Sequence, residues 1–515
     1  MPMFSLTRRS FLAAVATTFA TLKAWRPAWA QTTATTRVSF VLVNDIYLMK
    51  EEVFPDGKAR GAFARLAAVV KAERAKGGHV IVAHGGDTLS PSLMSGLDRG
   101  AHIITLTNMV APDIFAPGNH EFDFGKATFL QRMQEATFGL YAANLRDPDG
   151  APLPRFKDRA TIEFDGVRIG LTGLAYDKTA RTSAPEDLKF LPTIETAKQQ
   201  AAALRQEGAD YVVVVMHADR GDSFVLQAAR TADLILTGHT HDLFVNFDGL
   251  NAIVESGYNG LYITVADIDI TVRTRNGKRE MTWWPQFRII DTANVTPDPE
   301  VAAVVARYEE AFAREMDVVI ATTAVELDSR NATVRTKEAA IGNLFADAMR
   351  NAAGADAALM NGGGIRAGKV YPAGSTITRR DILAELPFNN KVVALEMSGA
   401  DLKAAMENGL ALLPASGGRF PQVSGIAVEA DIARPPGQRI TSMKVGGAPL
   451  DEARMYKVVT NDFVARGGDD YTTVRDARRI LSDEDSPLLA NQVMDYLKQI
   501  GTVRTGVDGR IVIRS

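Results

Sequence analysis

Five short β-branched runs punctuate the chain between Arg37 and Asp242: RVSFVLVND, GHVIVAHGGD, DIFAPGNH, DYVVVVMHAD and ADLILTGHTHD. Each stops on Gly, Asn, Asp or His. Runs this short and apolar read as strands buried on both faces, a pattern of sheets covered by helices. Between the first two lies ARGAFARLAAVVKAERAKGG, whose apolar spacing predicts an amphipathic helix closed by Gly77-Gly78. The repeated order indicates an α/β or α/β-sandwich domain from Val38 to about Ile290.

Near NVTPDPEVAAVVARYEEAFAREMD the pattern changes. Pro297 and Pro299 introduce one charged helix of about 15–18 residues, read as an interdomain connector. From Val318 a second mixed α/β domain begins, with a helix in KEAAIGNLFADAMRNAAG and a loop in NGGGIRAG. The expected divisions are 1–30, 31–292, 293–317 and 318–515.

The first thirty residues stand apart. LTRRSFLAAVATTFATLKAWRPAWA has paired Arg8 and Arg9, a modest apolar run and a small-x-small end at Ala28-Trp29-Ala30. This reads as a twin-arginine export signal cut after Ala30, so the folded protein is expected in a periplasm. The run is too short, and too rich in Ala and Thr, for a membrane anchor. Loss of Arg8, Arg9, Lys23 and Arg26 leaves 54 basic against 61 acidic residues, a formal charge of −7. Such a surface argues against a nucleic-acid polymer as partner. The chain has no cysteine, which excludes disulfides, thiolate metal sites and cysteine nucleophiles.

The strand ends carry the chemistry. Asp45, Asp87, Asn119-His120, His217, and His239 with His241 all fall in these turns, which with His84 hold five of the seven histidines. A lone GD or GNH is usually a turn. The concentration is what sets these apart, because ligands of open α/β sites gather at the carboxyl ends of strands. All five turns are expected at one sheet edge. Two ions roughly 3.5–4 Å apart, sharing a carboxylate, can clamp an attacking hydroxide and a phosphoryl oxygen.

In this order, the motifs D-x-Y, GD, GNHE, H and GHTH resemble those of the calcineurin-like metallophosphoesterases, over residues 45–242. The resemblance implies a four-layer β-sandwich flanked by helices and a two-metal centre. In it Asp87 bridges the ions, Asn119, His217 and His239 complete one position, and Asp45 and His241 the other. His120, backed by Asp123, would act as a protonated pair stabilising phosphoryl or leaving-group charge. Glu121 would support the ligands. His84 is read as a strand-end histidine bonded to backbone, and His79 and His102 as surface or helix-boundary residues.

In the second domain, NGGGIR offers exposed amides and an arginine suited to an anion. GGRFPQVSG and NDFVARGGDDY each set a phenylalanine beside a glycine turn, and either ring alone reads equally as core. Residues 318–508 resemble the C-terminal domain of the 5′-nucleotidases. That resemblance implies Phe420 and Phe463 stacking on a base, Asp469 accepting from ribose, and Arg335, Asn361 and Arg366 near the phosphate or ribose.

The whole is read as an α/β (α+β) two-domain, exported, dinuclear-metal phosphohydrolase of nucleotides, with UDP-sugars or cyclic nucleotides as further substrates. The alternatives are a thiosulfohydrolase of the same fold and a non-catalytic nucleotide-binding protein. The metals are expected to be Zn, Mn or Mg, or Fe if Tyr47 ligates. Tyr47 stands where the family usually has His: it either binds as phenolate or stands aside.

Overall fold

The computed structural model describes residues 32–275, 278–483 and 485–514; the expected export signal lies outside them. Among the described residues, no helix is long and apolar enough to cross a membrane.

Strand Thr32–Val43 shows how the pattern becomes architecture. In its first half Thr33, Thr35 and Arg37 face solvent while Thr36, Val38 and Phe40 are buried; from Val41 through Tyr47 every residue is buried. The change comes where a helical layer covers the second face. The strand runs parallel to His79–His84, with Val43 opposite His84, and antiparallel to Tyr262–Arg275. Lys278–Asp291 and Ile114–Phe115 are the edges of this five-stranded sheet.

A second sheet of six strands is ordered Leu243–Phe247, Ala252–Ser256, Leu234–Gly238, Tyr211–His217, Val167–Leu174 and Arg159–Phe164. Strand alternation then distributes the apolar side chains. Phe40, Leu42 and Ile81 meet Val213, Val215, Leu234 and Leu236 between the sheets. On the outer faces, Val41, Val43 and Val82 pack under Phe63, Leu66, Ile103 and Leu106. Val212, Val214 and Met216 pack under Ala197, Ala201 and Leu204. The result is four layers: helices, sheet, sheet, helices. The turns expected at one sheet edge therefore divide between two sheets: Asp45, Asp87 and Asn119 follow strands of the first, His217 and His239 belong to the second. Sequence order cannot reveal this, because strands of both sheets look alike.

Helix Pro299–Glu315 begins with proline at its first turn, where no N–H is needed. The Asp298 side chain accepts from the N–H groups of Glu300 and Val301, at 3.1 and 3.0 Å. Val301 and Val305 are buried in the core of the first domain, so this connector is anchored there rather than spanning open solvent.

The second domain centres on a five-stranded sheet ordered Pro421–Ser424, Ala357–Asn361, Met455–Asn461, Val392–Ser398 and Arg478–Arg479. Helices Ala340–Ala353 and Leu489–Ile500 share one core beside it, and helix Gly399–Leu410 lies in another. Ala357–Asn361 and Met455–Asn461 are parallel, so two asparagines end neighbouring strands at the same edge.

Candidate metal centre

The centre lies on the seam of the sandwich. Strained backbone aims four of its candidate ligands: Asp45, Asp87, His239 and His241 all take positive φ, at 54°, 57°, 104° and 61°. Left-handed backbone is costly for residues with a Cβ, and such strain clusters at functional sites. Close packing fixes the adjoining turns. A Cβ on Gly118 would sit 2.1 Å from Asp87 Oδ1 and 2.8 Å from the His217 ring, so only glycine lets these loops meet.

Asp87, His217 and His239 are all buried, with one donor atom of each within 4.8 Å of the others. His217 Nε2 is 3.1 Å from Asp87 Oδ2 and 3.2 Å from His239 Nδ1. His217 Nδ1 donates to the Gly85 carbonyl at 2.7 Å, which turns Nε2 toward the centre. Asn119 is buried beside them with its Oδ1 lacking any hydrogen-bond partner. An orphaned amide oxygen among buried imidazoles and a carboxylate is a donor set that fits a metal ion.

The other half holds Asp45 and His241, whose Oδ1 and Nε2 are 3.4 Å apart. Asp45 is pinned by Asn44 Nδ2 at 2.7 Å and by the His239 amide at 3.0 Å. Tyr47 turns its hydroxyl into this half. Its backbone N–H donates to Asn259 Oδ1 at 3.0 Å, and its buried hydroxyl lies 3.0 Å from Asp45 Oδ1, 3.3 Å from Asp87 Oδ2 and 2.9 Å from His241 Nε2. Burial first, then the charges of Asp45 and Asp87, push the phenol well above its ordinary value, so without an ion it is a neutral donor.

Electrostatics point the same way. Burial alone would raise the Asp87 carboxyl, yet the charges of His217 and His120 hold it well below the usual range. Burial lowers the proton affinity of His217, and Asp87 and Asp45 outweigh it, lifting the value to about 10. A field this negative favours a cation among the imidazoles, whether proton or metal.

His120 and Asp123 form the expected pair, Nδ1 to Oδ2 at 2.7 Å. Burial opposes the charge on His120, but Asp123 and Asp87 raise it to about 10. Glu121 organises the Asp87 turn: its carboxylate accepts from the N–H groups of Gly118, Asp87, Thr88 and Leu89, at 2.6–3.2 Å. His84 follows its reading, Nδ1 accepting from the Gly86 N–H at 3.1 Å; burial lowers it to about 4. His79 is part-exposed against Asp165. His102 sits at a helix start, one of the two places expected for it, and is buried with its Nδ1 2.9 Å from Asp98 Oδ2.

Sequence reasoning passed over three supports. Asp219 lies 3.4 Å from His239 Nε2, Ser183 donates to Asp123 at 2.7 Å, and Asn44 holds Asp45. Asp219 and Asn44 stand inside quoted motifs, two residues and one residue from a ligand. Ser183 carried no signal.

In the second domain, Asn361 Nδ2 donates to Asp469 Oδ2 at 2.7 Å, and Asn461 Nδ2 to Asn361 Oδ1 at 2.9 Å. Arg335 closes a short helix, its backbone carbonyl accepting from the Gly417 N–H at 3.3 Å and its Nε buried without a partner. Asp469 has φ 56° and lies near Gly418. Phe463 is 45% exposed beside Gly468. Phe420 is 1% exposed and packs in the core of the domain in this ligand-free arrangement. Arg366 is exposed and lies over the Phe388 ring at 5.4 Å, a pairing with a residue the sequence did not single out. Among the described residues, no hydrogen bond or ion pair joins these six to the six ligands named in the first domain. Between the domains lies a cavity of about 770 Å³, reached by Tyr47, His241 and Tyr258 on one side and Lys391, Asp462 and Arg466 on the other.

Residues 38–243 match the family model for calcineurin-like phosphoesterases, and residues 319–476 that for the 5′-nucleotidase C-terminal domain. The chain is 27% identical over 525 residues to the 5′-nucleotidase of Diplobatis ommata, covering 92% of this chain and 90% of that one. Among solved structures, the 5′-nucleotidase precursor of Thermus thermophilus is 28% identical with TM-score 0.53, covering 93% of this chain and 99% of that one. The NAD nucleotidase of Haemophilus influenzae shares the fold at TM-score 0.77 and 21% identity, covering 94% of this chain and 100% of that one.

Proposed function

The chain belongs to the metal-dependent calcineurin-like phosphoesterases that carry a 5′-nucleotidase C-terminal domain, and from that premise we propose that it hydrolyses nucleotides, most simply nucleoside 5′-monophosphates, in the periplasm. Asp87, Asn119, His217 and His239 would hold one ion, and Asp45, Asp87 and His241 a second. Ions bound there would supply Lewis acidity to a phosphoryl oxygen and make water more acidic.

The remaining work falls to the chain itself. His120, held by Asp123, keeps a proton at neutral pH and presents positive charge to a phosphoryl or leaving oxygen. Glu121 locks the Asp87 turn so that the shared carboxylate keeps its direction. Tyr47 sets which metal the Asp45 side prefers. In the second domain, Phe463 offers a base one aromatic face, Asp469 and Asn361 suit a ribose, and Arg335 and Arg366 suit an anion. The observation that carries this reading is the buried Asp87–His217–His239 group beside the orphaned Asn119 oxygen. The twin-arginine pattern at 1–30 supports export.

Metal analysis of purified protein, with hydrolysis assayed on AMP and UDP-glucose, tests the proposal. Bound metal with release of phosphate from AMP is the expected result. Protein that binds nucleotide and metal but hydrolyses neither compound would sink it.

A further inference from the structure

A primary amide has two unlike ends, and a metal takes only the oxygen. The N–H₂ end of a buried asparagine ligand must therefore find an acceptor, or its desolvation goes uncompensated. For Asn119 that acceptor comes from the other domain: Nδ2 donates to Asp485 Oδ1 at 2.8 Å, across 366 residues of chain. A carboxylate only accepts, so the amide end facing Asp485 is the nitrogen, and the oxygen is left unpartnered.

Asp485 is built for the contact. It is 6% exposed, and Ser482 Oγ both donates to its Oδ2 at 2.9 Å and accepts from its N–H at 3.1 Å. A second bond across the same boundary runs from Asn491 Nδ2 to the Ser92 carbonyl at 2.9 Å, and the Asn491 side chain fills the space a Cβ on Gly96 would need.

We propose that Asp485 completes the metal centre from the second domain as a positioning residue. It fixes Asn119 with its oxygen toward the ion, and its charge polarises the amide to make that oxygen a better donor. The inference rests on the reading of Asn119 as a ligand. It gives the second domain a role in holding metal that is separate from holding substrate. By reciprocity, an ion that binds through Asn119 favours the arrangement in which Asp485 is docked.

The test is the dissociation constant for Mn²⁺ or Zn²⁺, measured by competition with a chromophoric chelator on full-length, substrate-free protein. Partners that orient metal ligands typically contribute about 10–100-fold to affinity. Asp485→Ala should weaken binding by about that factor. Asp485→Asn, whose carboxamide oxygen still accepts from Asn119, should recover most of it even where the alanine variant proves hard to fold. Asn119→Ala should weaken binding as well, and adding Asp485→Ala to it should cost nothing further. If Asn119→Ala leaves affinity unchanged, the ligand reading itself is wrong. If Asn119→Ala weakens binding while Asp485→Ala and Asp485→Asn both match the parent, the positioning role is overturned. Equal additional loss in the double variant would overturn it too.

Discussion

The two candidate sites of this protein are built in opposite ways. The centre of the first domain is over-determined: four residues with positive φ, buried carboxylates and imidazoles, and a glutamate accepting four backbone N–H groups. The site of the second domain is open. Its only exposed phenylalanine of the expected pair stands at a helix edge, and its arginine stacks on a solvent-facing ring. The contrast follows from the task. Holding an ion needs fixed donors, because ligand distances tolerate errors of only about 0.2 Å. Holding a base needs an apolar face, which tolerates sliding.

The sharpest way to break this comparison is at His120. If it belongs to the chemistry rather than to the ion, His120→Ala should lower turnover by roughly 10²–10⁴-fold with metal content near that of the parent. Loss of metal in that variant would make it part of the ligand scaffold.

Phe463 and Phe420 separate the two kinds of aromatic. A stacking face contributes about 1–3 kcal/mol, so Phe463→Ala should weaken nucleotides by tens-fold and leave a small aryl phosphate nearly unchanged. Phe420→Ala opens a cavity in the core and should instead lower unfolding stability by about 3–5 kcal/mol. Its nucleotide and aryl phosphate kinetics should move together. A selective nucleotide defect in Phe420→Ala, with stability intact, would restore the two-ring clamp.

A subtler effect is expected at Tyr47. Tyr47→His should move metal preference toward zinc or manganese and keep phosphatase activity. If the phenol binds iron as phenolate, ferric-loaded protein shows a visible charge-transfer band that Tyr47→Phe removes. A colourless ferric form eliminates the phenolate, and an unchanged metal preference in Tyr47→His removes the role altogether.

The smallest effect is with pH. In metal-free protein the His120 value of about 10 lies above the ordinary 6.5. Its contribution to stability is therefore complete below roughly pH 6.5 and lost as pH rises toward 10. The melting temperature of the chelated parent should fall across that window more than that of chelated His120→Gln. Parallel curves would detach the charge from His120.

The same contrast explains what the sequence disclosed. Ligand types are dictated by metal chemistry, so aspartate and histidine at strand ends were legible from residue order alone, as was an α/β or α/β-sandwich domain through strand length and helix spacing; the four layers came with the resemblance. The division of those strands between two sheets was invisible, since Val213 and Phe40 carry no mark of their sheet. Supports such as Ser183 and Asp485 were equally hidden: serine and aspartate are common in loops, and only a contact 60 or 366 residues away gives them meaning. Phe420 marks the limit of residue order, because a phenylalanine beside glycine reads the same whether its ring meets a ligand or the core.

The seam between the sheets has one more consequence. Because Asp87 follows a strand of one sheet and His217 ends a strand of the other, a single ion held by both would be a rivet through the sandwich. Unfolding would then release the ion, so free metal should raise the melting temperature. By the same linkage, stripping the metal with a chelator should lower the melting temperature, and restoring free ion should raise it again.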